Sequence, residues 1–380
     1  MEKVKVFISG DFCPIEKAEQ AFLREVDAAQ LLGEFAGIIR QCDLAVTNLE
    51  CPLTVSESAI PKIGPNLKAH PDVAKAIIKL GFNLVTLANN HIYDYGQEGL
   101  DQTLGTLRDN NIAHVGAGKE LAEAQKIYRH EIKGIKIAIV NFAEVEFSCA
   151  TDCHGGANAM DLIDNVHHIQ EAKKNADHVI VIVHGGHEHS HYPSPGTLKR
   201  YRFIAEQGVS AVVGHHTHFV GGYEIYNDVP IFYSLGNFLF PRDNAPAAWH
   251  EGYAVLLKLS KDQLEFEMLP YEQCKGQTIG LQPQGQKSPI LEKVNQISSA
   301  LSDPIVLQQK WNEFIEGDRE LYYLTKMSML GRYQVAFLKR MRLLFWFLNK
   351  KKLRSAKQFL TCKAHREAAL DVLESFLKEE

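Results

Sequence analysis

The sequence predicts an α/β fold of two sheets packed as a sandwich and flanked by helices. Two observations predict it. Short β-branched runs alternate with amphipathic stretches in the first half of the chain, the pattern of parallel βαβ units buried on both faces. Further on, paired runs separated by turn residues replace that alternation, the pattern of antiparallel strands.

Taken in order, VKVFIS (4–9), DLAVTN (43–48), FNLVTLAN (82–89), HVIVIVHG (178–185) and VSAVVGH (209–215) read as buried strands. PDVAKAIIKL (71–80) and GLDQTLGTLRDN (99–110) read as helices between them. KIYRHEIKGIKIAIVNF (126–142) reads as a hairpin turning at Lys133-Gly134. Segments 221–238 and 252–270 read as antiparallel strands turning at Asn227-Asp228 and Lys261-Asp262. A parallel sheet is thus expected beside an antiparallel one. GQTIGLQPQGQKSP (276–289) has no periodicity and reads as a linker, and 290–380 reads as helical. The expected division is a domain over 1–272, a linker over 273–289 and a helical region over 290–380.

The chain has 380 residues, 45% of them hydrophobic and 23% charged, enough to bury a large core without staples. A net charge of −5 argues against a nucleic-acid binder. MEKVKVFISGDF enters a strand pattern with no leader-like run, and no stretch reaches the ~18 apolar residues of a membrane span. The 7 cysteines are scattered and read as reduced thiols, so a cytoplasmic location is expected. Segment 326–354 carries only basic charges, and Val335, Leu338, Met341, Phe345 and Leu348 fall on one helical face. Packing on the main domain is the commoner fate of such a face. Peripheral contact with the acidic inner face of a membrane is the alternative.

Histidine is the outlier, at 17 residues. Phosphoester-cutting metal sites need oxygen and imidazole ligands converging on two ions, and α/β sheets present such ligands at strand C-terminal ends. The residues after the expected parallel strands are Gly10-Asp11, Asn48-Leu49-Glu50, Asn89-Asn90-His91, His184-Gly185-Gly186-His187-Glu188 and Gly214-His215-His216-Thr217-His218. Each alone has an ordinary explanation: a turn residue, a loop acid, a structural histidine. The His216-x-His218 pair stands out, because alternation along an extended segment would put both rings on one side, as chelation requires. Their recurrence at successive strand ends favours a shared metal site.

The ordered set GD, NLE, ANNH, HGG, GHHTH and SLGNF resembles the CapA family of bacterial capsule-synthesis proteins, associated with making or exporting poly-γ-glutamate. That family belongs to the calcineurin-like metallophosphoesterase superfamily. The resemblance spans roughly residues 4–270 and implies a metallophosphoesterase-like domain holding two divalent ions, manganese, iron or zinc. By this resemblance Asp11 and His218 hold the first ion, Asn90, His184 and His216 the second, and Glu50 bridges them. His91 protonates the leaving oxygen while a metal-bound hydroxide attacks a phosphoester. The usual Asp-x-His of the superfamily is here Asp11-Phe12-Cys13, which leaves the first ion with fewer ligands; Cys13 reads as a buried apolar residue.

Further candidates surround this set. Asn48, Asp94, His187, Glu188 and Asn237 could support the ligands or touch substrate. Lys62, Lys68 and His70 could meet an anionic substrate or lie on a solvated loop. Cys149, Cys153 and His154 lack a second cysteine pair and do not read as a zinc site. The expected function is a metal-dependent hydrolase of capsule or poly-γ-glutamate biosynthesis. The alternative is a non-catalytic subunit of a synthesis or export complex that binds metal and an anionic polymer.

Overall fold

The computed structural model describes residues 2–24, 28–275, 280–316, 331–341, 343, 350–361, 365–366, 369–370 and 373. The chain divides into two compact units, Met1–Gln308 and Gln309–Glu380.

In the first unit, two sheets carry the fold. One has the order β16 (Leu281–Pro283), β15 (Leu264–Gln273), β14 (Glu251–Leu259), β1 (Val4–Phe12), β2 (Leu44–Leu49), β3 (Leu84–Thr86) and β4 (Ala113–Val115). The short β13 (Asn237–Leu239) pairs with the end of β1. The other sheet runs β11 (Tyr223–Tyr226), β12 (Val229–Phe232), β10 (Ala211–His215), β9 (His178–His184), β7 (Ile135–Ala143) and β6 (Tyr128–Ile132). Two short strands, β5 (Ala117–Gly118) and β8 (Gly156–Ala157), pair with each other apart from both. The expected turns at Lys133-Gly134 and Asn227-Asp228 both join antiparallel neighbours.

The expected split into one parallel and one antiparallel sheet is corrected by this topology. Both sheets are mixed: β1 to β4 are parallel while β14 to β16 are antiparallel, and β7, β9, β10 and β12 are parallel between antiparallel edges. The antiparallel strands were read correctly in kind, but they pair with the edges of the parallel sets instead of with one another alone.

Strand periodicity places the core. Val4, Val6 and Ile8 of β1 face a cluster shared with Ile137, Ile139, Ile180, Ile182 and Val213 of the other sheet. Phe7 and Phe12 point to the opposite face, into a cluster with helical residues Phe35, Ile77, Leu80 and Leu104. Helices Leu162–Lys173 and Pro195–Ala205 cover the outer face of the second sheet through Ile169, Tyr201 and Ile204. Sheet lies on sheet with helices outside, as the sequence predicts.

The domain boundary differs from the expected one. Leu281–Pro283 forms an edge strand on β15, and Ile290 and Val294 of helix Pro289–Leu301 enter the inter-sheet core. The stretch read as linker therefore contains structure, and the first unit extends to Gln308. Three residues of strand inside a Gly/Gln-rich segment carry too little periodicity to be seen.

In the second unit, helix Arg332–Arg340 buries Val335 and exposes Tyr333 and Phe337, and Met341 just beyond it is exposed as well. Phe345 and Leu348 of the expected apolar face, and much of 326–354, lie outside the described residues. Among the described residues no helix is long and apolar enough to cross a membrane.

What positions the site is register. Asp11 of β1 lies opposite Asn48 of β2, which lies opposite Thr86 of β3. His215 of β10 lies opposite His184 of β9, and His184 opposite Ala143 of β7. The register of β1 shifts between Ile8 and Asp11, and a Cβ at Gly10 would come within 2.0 Å of the Gly236 carbonyl oxygen. Gly10 thus permits the approach in which the Asp11 N–H donates to that same carbonyl at 3.1 Å. Gly10→Ala is expected to lower stability by about 2–4 kcal/mol by forcing this contact apart. Urea unfolding of the two proteins measures it.

Candidate metal centre

Six side chains converge where the parallel strands of both sheets end: Asp11, Glu50, Asn90, His184, His216 and His218, all buried. Their nitrogen and oxygen atoms form two sets that could each hold an ion, Glu50–His184–His216 and Asp11–Glu50–His218, with Glu50 in both. In the first set His184 Nε2 lies 3.0 Å from Asn90 Oδ1, 3.1 Å from His216 Nδ1 and 3.6 Å from Glu50 Oε1. Donors bound at about 2.0–2.2 Å to one cation sit roughly 3.0–3.5 Å from each other. In the second set His218 Nε2 lies 3.8 Å from Glu50 Oε1, and its other ring nitrogen, Nδ1, lies 3.7 Å from Asp11 Oδ2.

The backbone explains why these groups meet. His216 and His218 have φ of +89° and +60°, so the segment is not the extended one the alternation argument assumed. Their rings are 6.1 Å apart and serve different sets, which corrects the expectation that the pair chelates one ion. The His216 N–H donates to Asp11 Oδ2 at 3.1 Å, which ties the two sheets together at the site.

Supporting groups fix the ligand orientations. Asn237 Nδ2 donates to the His218 and Trp249 carbonyls, so its Oδ1 is turned to His218 Nδ1 at 3.0 Å. That bond places the proton on Nδ1 and leaves Nε2 with a lone pair facing Glu50. Asn48 Nδ2 donates to Asp11 Oδ1 at 2.8 Å and lies 3.1 Å from His184 Nδ1, while Asn48 Oδ1 accepts from the Thr86 hydroxyl. Asp94 accepts from His91 Nδ1 at 2.7 Å, and helix Gly96–Asp109 has no side-chain cap. Asp94 therefore serves His91 and not the helix end.

Among the described residues, neither buried Glu50 oxygen has a hydrogen-bond partner. Burial first, then the charges of Asp11 and Glu188, hold the Glu50 carboxyl well above its usual range. Burial also raises Asp11, though His215 and Asn48 oppose it. Burial and the neighbouring imidazoles hold His184 and His218 well below the usual imidazole range, so these ligands stay neutral. An isolated buried carboxylate costs several kcal/mol, which a coordinated cation offsets. The donor set, carboxylate oxygens with imidazole nitrogens, suits manganese, iron or zinc.

Other expectations resolve differently. Cys13, as expected, is a buried free thiol outside both sets, and burial followed by the neighbouring Cys51 thiol pushes its pKa well up. Lys62 is neither solvated nor open to substrate; it is buried in an ion pair with Asp94. Lys68 bonds the Ser56 carbonyl and Glu57, and His70 is half exposed beside Asp72, so neither joins the cluster. Glu188 lies near enough to Glu50 to raise its pKa, while His187 is in neither set. Glu146 was missed. Its Oε1 lies 3.8 Å from His216 Nε2, and its charge also raises Glu50. It follows β7, so the strand-end rule would have found it had 126–142 not been read only as a hairpin. Trp249 was also missed; its buried ring lies 4.6 Å from that of His218.

A two-sheet α/β protein with two overlapping buried clusters of imidazole and carboxylate is the class that fold and site define. Within it, residues 5–242 match the family described as bacterial capsule synthesis protein PGA_cap, and the chain belongs to that family. It is 34% identical over 226 residues to the PGA biosynthesis protein CapA of Bacillus subtilis, covering 56% of this chain and 59% of that one. It is 30% identical over 236 residues to the capsule biosynthesis protein CapA of Bacillus anthracis, covering 57% of each. The matched region thus spans less than two thirds of these relatives. Among solved structures, a hypothetical protein of Thermus thermophilus aligns over 71% of this chain and 99% of its own at 14% identity and a TM-score of 0.45. A phosphatase of Mycoplasma pneumoniae aligns over 71% and 94% at 14% identity and a TM-score of 0.44.

Two outcomes follow from the unpartnered carboxylate. Glu50→Gln is expected to stabilise the metal-free protein by about 1–2 kcal/mol, since it removes a buried acid, and to abolish stabilisation by added Mn²⁺. Thermal unfolding in EDTA and in Mn²⁺ tests both parts. The raised carboxyls also fix a sign with pH. Protons compete with a cation for Glu50 and Asp11 across a range above the usual carboxylate value of about 4–4.5. The depressed imidazoles compete only well below their usual ~6.5. The Mn²⁺-induced rise in Tm should therefore shrink as the pH falls through the raised carboxylate range. A rise independent of pH between 7.5 and 5 would contradict the assignment.

Proposed function

We propose that this protein is a metal-dependent phosphoesterase-type hydrolase acting in capsule or poly-γ-glutamate biosynthesis. The observation that carries the reading is the bare Glu50 carboxylate shared by two ligand sets, with His91 beside them. The family and the CapA relatives support the biosynthetic setting.

Asp11, Glu50 and His218 would hold one divalent ion, and Glu50, Asn90, His184 and His216 the other. Such ions supply charge neutralisation to phosphoryl oxygens and a nucleophile at neutral pH. The chain's own residues do the rest. Asn237 and Asn48 keep the ligands of the two sets oriented. His91 Nδ1 is committed to Asp94, so Nε2 is the ring nitrogen left to exchange a proton with a leaving oxygen. His91 lies close enough to His184 and His218 to affect both imidazoles. The burial of these groups limits water at the reacting centre and strengthens each electrostatic contact.

Purified protein loaded with Mn²⁺ is expected to hydrolyse an aryl phosphate or an aryl phosphodiester. His91→Ala should lower kcat by about 10²–10⁴-fold with metal content unchanged. Metal analysis beside steady-state kinetics checks this. Full loading of both sites with no turnover on monoesters or diesters would assign the pocket to binding an anionic polymer instead.

A further inference from the structure

Asp94 gathers the middle of the loop from Ile60 to Leu67. Asp94 accepts on its carboxylate from Lys62 Nζ, from the Leu67 N–H at 2.7 Å and from His91 Nδ1 at 2.7 Å. Its backbone carbonyl accepts from the Ile60 N–H at 2.9 Å and Asn66 Nδ2 at 3.0 Å. The Lys62 side chain is 3% exposed and that of Asp94 is 0% exposed. A buried lysine is uncommon and needs a partner; here the partner is the carboxylate that orients His91.

We infer that Lys62 is a positioning residue for His91. Lys62 takes Asp94 Oδ1, and Asp94 Oδ2 takes the His91 Nδ1 proton. Lys62 Nζ also lies 3.2 Å from His91 Nδ1. An ammonium can only donate to a lone pair on Nδ1, but the Asp94 carboxylate is the nearer partner, at 2.7 Å against 3.2 Å, and takes the Nδ1 proton. The bond to this held carboxylate thereby selects the Nδ1–H tautomer and leaves Nε2 free of it, in a ring close enough to His184 and His218 to affect both. Without Lys62, Asp94 keeps the Leu67 N–H on Oδ2 but loses the ammonium that holds Oδ1, so the carboxylate is freer to turn and the imidazole loses a fixed reference. Sequence gives no hint of this, because Lys62 and Asp94 lie 32 positions apart in different loops. The inference rests on the reading that His91 acts at the pocket, but its first readout does not.

The test uses the full chain with 15N-labelled histidine, the His91 signals assigned by His91→Gln. In the metal-free wild type, long-range 1H–15N correlations are expected to show the Nδ1–H tautomer at His91. Lys62→Met should shift His91 to a mixture of tautomers, leave metal content after loading unchanged, and lower kcat by roughly 10–100-fold at constant KM. Lys62→Arg should restore the Nδ1–H form and most of kcat. Should Lys62→Met not fold, Lys62→Gln, which retains an N–H donor, is expected to shift the tautomer in the same direction by less. An Nδ1–H tautomer retained in both Lys62→Met and Lys62→Gln, with only Tm lowered, would show that Lys62 merely anchors the loop. A fall in metal content would equally overturn the inference. If the wild type turns over no ester with both ions bound, the phosphoesterase reading fails while the tautomer result still decides the part played by Lys62.

Discussion

A buried carboxylate with no hydrogen-bond partner among the described residues organises this molecule. Glu50 sits where two sheets end, with Asp11, Glu146 and Glu188 close enough to be felt through space. Among the described residues the chain offers it no compensating cation. His184 and His218 are held neutral by burial and by neighbouring imidazoles, and Lys62 is engaged by Asp94. Hydrogen bonds are withheld from Glu50 while Asp11, its neighbour, receives two. A fold that leaves one acid bare and turns the His218 Nε2 lone pair toward it is prepared for a divalent ion in a way that helix packing or turn chemistry would not require.

Arrangement of the site is a matter of strand register more than of loop design. Asp11 opposes Asn48 across one sheet, and His184 opposes His215 across the other, so their places follow from backbone pairing. Only the last steps, from His215 to His218 and from Thr86 to His91, leave the ladders. There the backbone adopts left-handed values or turns, and side-chain bonds such as that of Asn89 Oδ1 to the His91 N–H take over. The rigid part of the scaffold sets the ligands, and the turns aim them.

This division explains what could be read from the sequence. β-branched runs mark the parallel strands plainly, and a polar residue at the end of each is visible once the strand is. Asp11, Glu50, Asn90, His184, His216 and His218 all lie in stretches that this rule marks, and the family resemblance singles them out as ligands. The reasoning behind His216 and His218 was nevertheless wrong in detail, because positive φ at two histidines has no sequence mark. Glu146 was hidden by reading its strand as half of a hairpin, although β7 also pairs in parallel with β9. Lys62 was hidden by default, since a loop lysine is expected in water and its partner comes from another turn. The boundary after residue 272 was misplaced because β16 is short and because Ile290 and Val294 declare themselves only against a formed core.

The contact between the His216 N–H and the Asp11 carboxylate joins positions 205 residues apart. No segment of the chain can assemble half of this pocket on its own, since each ligand set draws on strands from both sheets. Closing so distant a contact carries a loop-closure cost that the local βαβ units do not. The ligand set therefore reports on completed tertiary structure, and an ion captured there selects molecules whose two halves have already docked. Scarcity of that ion would be felt as a shift in the whole population of native protein, and not as the loosening of a single loop.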